Sequence, residues 1–357
     1  MRVTFVIPDF RRLSGGIRVV AQYFDHLRRA GHQVSIVSCA VSTGPEGRRN
    51  CLRRWLRLAR PQKGDAFEAT GHFTEDLSRI THYPAYYPLK EGDFPDADII
   101  VATWWETVEW IRDLPPKKGT KVHFIQDHED FSYLPSDRVR AVYRAPIRKI
   151  VVASWLIEML RERYDRDAVL CTNGVDTTWF DTPPRAPTGT PQVGFLYSPH
   201  PRKNIDLAVE AVTRARRDLP DLQCLVFGAR APRRPLPDWF TFHSKPPQTE
   251  IPSLYAACDA WLFPSETEGF GLPLLEAMAS RTPVLATRAG AAPDLVNTRN
   301  GRLLNSDPDA FAQAIGDIAR LPPQDWQQMS DAARATAVHH DLTAAAKRFE
   351  KALAGLT

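Results

Sequence analysis

The chain is poor in cysteine, and the few cysteines it has are arranged neither as pairs nor as metal ligands. Of its 357 residues only five are cysteine, at positions 39, 51, 171, 224 and 258. Their number is odd, their spacing is wide and no Cys-x-x-Cys occurs, which argues against a disulfide framework and against a zinc site. We therefore expect a protein of a reducing compartment, most simply the cytoplasm.

Long hydrophobic runs are also missing. No stretch approaches the roughly 18 apolar residues that read as a membrane-spanning helix. The apolar run that follows Met1 is too short for a signal peptide and has no small-residue cleavage site after it. We expect neither a spanning helix nor a secretory leader.

An excess of one charge is absent as well. The 46 Lys and Arg residues against 42 Asp and Glu leave a net charge of +4, without the concentrated basic excess of nucleic-acid-binding domains. Hydrophobic residues make up 43% and charged residues 25%, which is ordinary for a folded globular protein. The length suits two domains better than one.

Short β-branched runs alternate with helical periods along the chain. The opening reads as strand 3–8, helix 17–30 and strand 34–39, and further strand-like runs follow at 99–102, 122–125, 150–153 and 168–171. A segment with four prolines, 180–191, interrupts the pattern, which then restarts with strands at 193–197, 224–227, 240–243, 260–263 and 284–286 between helical stretches. Such alternation is typical of parallel sheets covered by helices.

These observations predict two doubly wound, Rossmann-like α/β domains that face an interdomain cleft. We expect them at 1–184 and 185–335, with residues 336–357 as a helix that packs back on the first domain. In open α/β sheets, ligands bind beyond the carboxyl ends of the strands, so we expect a site fed by loops of both domains.

The most informative segment runs from Phe263 to Ala279. A strand ends at Phe263, an acidic loop with glycines follows, and a helix begins near Gly271, with Glu268 in the loop and Glu276 in the helix. Glycine allows close backbone approach, and a helix start favours an anion such as phosphate. Carboxylates suit sugar hydroxyls, so the layout fits a sugar–diphosphate–ribose ligand.

Glu268 and Glu276 resemble the Glu-x7-Glu motif of the retaining GT-B glycosyltransferases of family 4, the glycosyl transferases group 1. The similarity extends over Pro264-Ser265, Pro283-Val-Leu-Ala-Thr, Asn173-Gly-Val-Asp176, Gly15-Gly16 and Asn300-Gly-Arg-Leu-Leu. It is continuous over the second domain and looser over residues 40–120.

The resemblance implies roles for the motif residues. Glu268 would contact the transferred sugar and Glu276 the nucleotide ribose, whereas spacing alone would also fit an exposed helix glutamate at 276. The loop and helix start, Gly269, Phe270, Gly271 and Leu272, would line the donor.

Two cations stand in a loop at the end of the strand 193–197, at Arg202 and Lys203. They suit a diphosphate, on which charge develops as the glycosidic bond breaks, although a solvated basic loop would look the same. The family has an arginine six residues before its lysine. Here that place holds Tyr197, so Arg202 is the candidate replacement, and Tyr197 and Gly228 are further donor-binding candidates.

Two further elements of the first domain resemble family features. Gly15-Gly16 lies between the first strand and helix, where the family's loop approaches the donor phosphate; a plain tight turn is the alternative. At the end of the strand 122–125 the family usually has His-Asp, while this chain reads Gln126-Asp127-His128. Either Gln126 or His128 could take the histidine position, and both Asp127 and His128 are catalytic candidates.

We expect no metal and no other cofactor. Asp96-Ala-Asp98 stands before a strand, at the edge away from the ligand, and Asp307-Pro-Asp309 opens a helix as an ordinary cap. His123 and His128 have no cysteine pair beside them.

Residues 48–63 hold seven basic residues and no acid, with Trp55, Leu56 and Leu58 between them. Such a segment either contacts anionic lipid or is a solvated loop. The first reading predicts peripheral contact with the inner face of a membrane.

The sequence as a whole predicts a retaining glycosyltransferase, with a nucleoside-diphosphate sugar as donor and a glycan, lipid-linked or small-molecule hydroxyl as acceptor, in bacterial polysaccharide or glycolipid assembly. The alternatives are a nucleotide-sugar epimerase or a phosphorylase of the same fold, or a non-catalytic sugar-binding relative. The base, the sugar and the acceptor stay open.

Overall fold

The computed structural model describes residues 1–11, 14–42, 51–52, 61–63, 72–73 and 76–356. The chain forms two compact units. Unit 1 consists of Met1–Thr172 and Ala346–Thr357, and unit 2 consists of Asn173–Ala345.

Unit 1 is built on a largely parallel sheet. In chain order its elements are β1 Arg2–Ile7, α1 Gly15–Arg29, β2 Gln33–Cys39, β3 Gln62–Lys63, β4 Ile80–Tyr83, β5 Ile99–Ala102, α2 Trp105–Ile111, β6 Thr120–Ile125, α3 Ser136–Arg144, β7 Arg148–Val151, α4 Ser154–Tyr164 and β8 Val169–Leu170. Within the described ranges the strand order is β3-β4-β2-β1-β5-β6-β7-β8, and β3 pairs antiparallel with β4.

The sequence explains these elements locally. Strand β5 reads Ile-Ile-Val-Ala and is buried throughout, as expected of a central parallel strand covered on both faces. Helix α1 begins after Ser14, whose Oγ accepts a hydrogen bond from the amide of Ile17. Its apolar side chains, which include Phe24 and Leu27, are buried in the core of unit 1.

Unit 2 is built on a parallel sheet of its own. In chain order its elements are β9 Gln192–Leu196, α5 Ile205–Ala215, β10 Gln223–Gly228, β11 Phe240–Ser244, α6 Ile251–Ala256, β12 Ala260–Phe263, α7 Leu272–Ala279, β13 Val284–Thr287, α8 Ala292–Leu295, β14 Gly301–Leu304, α9 Pro308–Ala319 and α10 Pro323–His339. The strand order is β11-β10-β9-β12-β13-β14. Helix α11, Leu342–Ala354, follows, and its residues from Ala346 onward belong to unit 1.

The proline-rich segment predicts a domain boundary after residue 184. In the structure the boundary between the units lies after Thr172. The reason is a set of hydrogen bonds that hold residues 173–181 in unit 2. The Val175 amide donates to the carbonyl of His340 at 3.0 Å, and the Arg334 guanidinium donates to the carbonyl of Thr177 at 2.9 Å.

Both sheets have the predicted α/β, doubly wound character, so this fold class is confirmed for each unit. The described residues contain no helix that is both long and apolar enough to cross a membrane.

Candidate functional site

The loops after β9 and β12 meet at Lys203 and Glu268. The Lys203 Nζ donates to Glu268 Oε1 in an ion pair, and Ser265 Oγ donates to the same oxygen at 2.7 Å. The backbone reinforces this contact, since the Glu266 amide donates to the carbonyl of Arg202 at 2.8 Å. Strands β9 and β12 are neighbours, so a cation and a carboxylate 65 residues apart in sequence come together at the carboxyl edge of the sheet.

Glu276 lies inside helix α7 and is buried rather than exposed. Its Oε2 accepts a hydrogen bond of 2.8 Å from the hydroxyl of Tyr255, at the end of α6. A buried carboxylate is costly unless polar partners stabilise it, so this position is not an ordinary solvated helix glutamate. The burial of Glu276 and its hydrogen bond therefore exclude the alternative of an exposed helix glutamate at this position.

The glycines around Glu268 are required by geometry. Gly271 has φ +95°, and a Cβ there would lie 2.6 Å from Cζ of Phe263. Gly290 has φ +59°, and its Cβ would lie 2.6 Å from the carbonyl oxygen of Phe270 and 2.8 Å from Cβ of Glu268. The chain folds closely over the acidic loop, and only glycine fits at these two positions.

The first turn of α7 offers fewer amide donors than a helix start usually does. Pro273 has no N–H, and the Leu274 amide donates to the carbonyl of Gly271 at 3.0 Å. Leu272 is the first residue of the helix, and Gly269 and Phe270 precede the cap. The anion site that the sequence predicts at this helix start would therefore have fewer helix amides to donate than expected.

Tyr197 occupies the place where the family has an arginine, directly after β9. Its hydroxyl accepts a hydrogen bond of 3.0 Å from the backbone amide of Arg233, and its ring contacts Phe242 edge to face. Gly228 ends β10, and a Cβ there would lie 2.5 Å from the carbonyl oxygen of Tyr197. Tyr197 therefore tethers the loop after β10 to the loop that carries Lys203.

That tethered loop carries three exposed arginines, Arg230, Arg233 and Arg234. Within the described part of the chain, none of their guanidinium groups has a carboxylate partner. Strand β10 is the neighbour of β9, so these cations lie at the same sheet edge as Arg202 and Lys203.

In unit 1 the side chain of Gln126 contacts the glycine turn formed by Gly15 and Gly16. Gly15 and Gly16 form the first turn of α1, and the Gln126 Nε2 donates to the carbonyl of Gly16 at 3.2 Å. The other side-chain atom, Gln126 Oε1, is buried and has no hydrogen-bond partner among the described residues. Of the two candidates for the family's histidine position, the structure places Gln126 against the glycine turn.

His128 lies among aromatic side chains instead. Its Nε2 hydrogen-bonds the hydroxyl of Tyr164 at 2.8 Å, and the ring of Tyr143 is 5.2 Å away, centroid to centroid. Burial, more than any other influence, lowers the pKa of His128. The carboxylate of Asp127 accepts a hydrogen bond of 2.9 Å from the His128 amide. The backbone carbonyl of Asp127 accepts a hydrogen bond of 3.1 Å from the Tyr143 hydroxyl.

The Asp-x-Asp pairs are engaged with other residues of the chain. Asp98 binds the guanidinium of Arg2 at 2.7 Å, and Asp96 pairs with Lys118 at 2.9 Å. Asp307 caps α9. Among the described residues no three His, Cys, Asp or Glu side chains form a group that could hold a metal ion. Of the basic segment 48–63, only 51–52 and 61–63 are described, so its predicted membrane contact lies outside the described residues.

Sequence reasoning missed four parts of this site: Ser265, Tyr255, Gly290 and the arginines after β10. Ser265 and Gly290 lie in or near the acidic loop, but nothing in their spacing indicates a contact with Glu268. The three arginines do carry a sequence signal, since they form a basic cluster directly after a predicted strand.

Comparison with known proteins finds similarity to glycosyltransferases, both in sequence and in fold. The family Glycosyl transferases group 1 matches residues 190–320. O-antigen chain mannosyltransferase B of Escherichia coli is 32% identical over 94 residues, which are 26% of this chain and 24% of that protein. The GDP-mannose-dependent α-(1-6)-phosphatidylinositol monomannoside mannosyltransferase of Mycolicibacterium smegmatis is 30% identical over 34% of this chain and 37% of that protein. The matched segments thus span well under two thirds of these relatives.

The whole fold has a counterpart among solved structures. HepE of Anabaena, solved in complex with UDP, superimposes with a TM-score of 0.74 over 99% of this chain and 100% of HepE, at 15% sequence identity. At that identity the likeness shows the fold, and the predicted GT-B class is confirmed.

Proposed function

We propose that this chain, whose residues 190–320 match the Glycosyl transferases group 1 family and whose fold is GT-B, transfers a sugar from a nucleoside-diphosphate sugar to an acceptor hydroxyl. The proposal rests above all on Glu268, which Lys203 and Ser265 hold at the carboxyl edge of the second sheet. A cation for a diphosphate thus lies in direct contact with a carboxylate for sugar hydroxyls. The relatives support polysaccharide or glycolipid assembly as the setting.

The donor would be held by three kinds of group. Glu276, positioned by Tyr255, would accept hydrogen bonds from the ribose hydroxyls. Lys203 and Arg202 would bind the diphosphate, and Glu268 would orient the transferred sugar. That HepE was solved with UDP supports a nucleoside diphosphate as the ligand class.

The transfer breaks the bond between the anomeric carbon and the diphosphate oxygen and forms a bond from that carbon to the acceptor oxygen. Negative charge grows on the departing diphosphate, and the preorganised cations stabilise it. We propose retention of the anomeric configuration from the resemblance. A donor phosphate oxygen would take the acceptor's proton, because Glu268 is already engaged by Lys203 and Ser265.

In unit 1, we propose substrate-binding roles for Gly15, Gly16 and Gln126. The Gln126 amide binds the carbonyl of Gly16, while Oε1 stays available to accept a hydrogen bond from a substrate hydroxyl. We therefore assign the family's histidine position to Gln126. His128 would act through packing, since Tyr164 already holds its ring.

The test is a transfer assay with radiolabelled nucleotide sugars on Lys203→Ala and Glu268→Ala. Each substitution should lower kcat by about 100-fold or more, the usual effect of removing a group that stabilises transition-state charge. Glu266→Ala is the matched control, because this exposed carboxylate lies in the same loop and, among the described residues, only its backbone amide is engaged.

Wild-type rates in both variants would refute the assigned roles. Incubation with the nucleotide sugar alone separates the alternatives, because isomerised sugar without acceptor would identify an epimerase. A thermal-shift series with uridine, guanosine and thymidine diphosphates identifies the base, since the correct nucleotide raises the Tm by mass action.

A further inference from the structure

A pocket lies in unit 1, at the amino ends of β6 and β7. Its volume is about 890 Å³, within the range of small-molecule sites. Thr120 begins β6 and Arg148 begins β7, and both line the pocket. We call it the basic pocket after its cationic lining residues, Arg112, Lys121, Arg140, Arg144 and Arg148.

The charges of the basic pocket do not balance. Its carboxylates are Asp113, which pairs with Arg112 at 3.1 Å, and the fully exposed Asp137, 4.0 Å from Arg140. Five cations and two carboxylates leave a charge of 5 − 2 = +3. Among the residues that the structure describes, the guanidinium groups of Arg144 and Arg148 have no carboxylate partner, so both can bind an anion.

Backbone carbonyl groups that line the pocket accept hydrogen bonds from two further cationic side chains. The buried Lys149 Nζ donates to the carbonyls of Ala145 at 2.7 Å and Ile147 at 3.2 Å, and both of those residues line the pocket. Arg166 Nε donates to the carbonyl of Arg144 at 2.9 Å. Carbonyl oxygens that would repel an anion are thus turned toward cations, and burial together with Arg166 lowers the pKa of Lys149 to about 8.

The basic pocket is separate from the glycine turn of the same unit. Gln126 follows the carboxyl end of β6, whereas Thr120 and Lys121 begin that strand. A strand of six residues spans roughly 20 Å, so one small ligand does not reach both ends. A ligand bound in the basic pocket is therefore not the nucleoside-diphosphate sugar of the proposed transfer.

We propose that the basic pocket is a second binding site, for a phosphorylated anion with at least two negative charges. Arg144 and Arg148 would bind its phosphate oxygens with paired N–H groups, the geometry in which guanidinium groups bind phosphate best. The same chemistry belongs to soluble polyphosphates and to phospholipid headgroups. The proposal does not depend on the transfer reaction.

Isothermal titration with inositol hexakisphosphate tests the site directly. Arg144→Glu combined with Arg148→Glu should weaken binding at least 10-fold and make it less dependent on salt, because fewer counterions are released. The matched control is Arg217→Glu with Arg299→Glu, which changes the net charge equally at two exposed arginines of unit 2. Lys203→Ala should bind the probe as the wild type does.

Equal weakening in the control pair would mean unspecific attraction and would overturn the proposal. Loss of binding in Lys203→Ala would also overturn it, because the probe would then occupy the donor site. Vesicles of cardiolipin, whose headgroup carries two phosphates, are compared with vesicles of phosphatidylcholine to identify the source. Cosedimentation that requires Arg144 and Arg148 indicates a lipid headgroup, and binding of the soluble probe alone indicates a free polyphosphate. If the double variant has a lowered Tm, Arg148→Gln serves instead, with an expected loss of at least 3-fold.

Discussion

At the scale of single residues, the chemistry of the site could be read from the sequence but its contacts could not. Glu268 and Glu276 stand out because they flank glycines between a strand and a helix. The ion pair of Glu268 with Lys203 depends on strand order, which joins positions 65 residues apart, and no local pattern records that order. The buried state of Glu276 likewise depends on Tyr255, from another helix.

One buried residue gives unit 1 a pH dependence. His123 in β6 is fully buried, and neither ring nitrogen has a hydrogen-bond partner among the described residues. Burial, together with the positive charge of Lys149, lowers its pKa to about 3. Because the folded pKa is below the unfolded value of 6.5, the unfolded state takes up the proton first as the pH falls. Stability is therefore lost progressively from pH 6.5 toward pH 3.

We expect His123→Phe to remove this dependence. Between pH 6.5 and pH 5 the wild type should lose about 2 kcal/mol through His123, at about 1.4 kcal/mol per pH unit, and the variant should not. The free energies of amide hydrogen exchange in β6, measured at pH 7 and pH 5, report the difference. The same loss in both proteins would contradict the assignment.

At the scale of elements, most strands and helices follow from local pattern. The predicted strand at 260–263 coincides with β12, which is apolar throughout, and α7 begins at Leu272, next to the predicted helix start near Gly271. Strand β4, Ile80-Thr-His-Tyr, was not predicted, since it is short and mixes polar with apolar residues. Its buried His82 owes its place to packing against Phe10, a long-range contact.

Gly271 links two of these elements, and its replacement tests the geometry of the acidic loop. Gly271→Ala should destabilise unit 2 by about 2 kcal/mol, because alanine disfavours the positive φ and its Cβ would overlap the ring of Phe263. Gly189→Ala is the control, since its Cβ would meet nothing within 4 Å. Calorimetry measures both changes, and equal Tm values for the two variants would refute the prediction.

At the scale of the whole chain, helix α11 carries the polypeptide from unit 2 into unit 1. The sequence pattern predicts a helix over 336–357 that packs back on the first domain. In the structure, Phe349 is fully buried and stacks on Tyr23 with ring centroids 4.6 Å apart. Phe5 and Phe124 complete the aromatic cluster.

We expect Phe349→Ala to destabilise unit 1 by about 3–5 kcal/mol, the usual cost of removing a buried phenyl ring. Lys351→Ala, an exposed position on the same helix, should change stability by less than about 0.5 kcal/mol. Hydrogen exchange of the β1 and β6 amides follows the effect. Similar exchange in both variants would show that α11 is dispensable for the core of unit 1.

This arrangement also sets the order of events during synthesis on the ribosome. The 173 residues of unit 2 are translated between the first part of unit 1 and Phe349, which takes on the order of ten seconds or more. Until then Phe5, Tyr23 and Phe124 lack the Phe349 ring on which they pack, and apolar surface left exposed in this way favours aggregation. Conditions that delay translation would thus prolong the aggregation-prone stage of the amino-terminal part. Unit 2, in contrast, is synthesised completely before the last segment of unit 1.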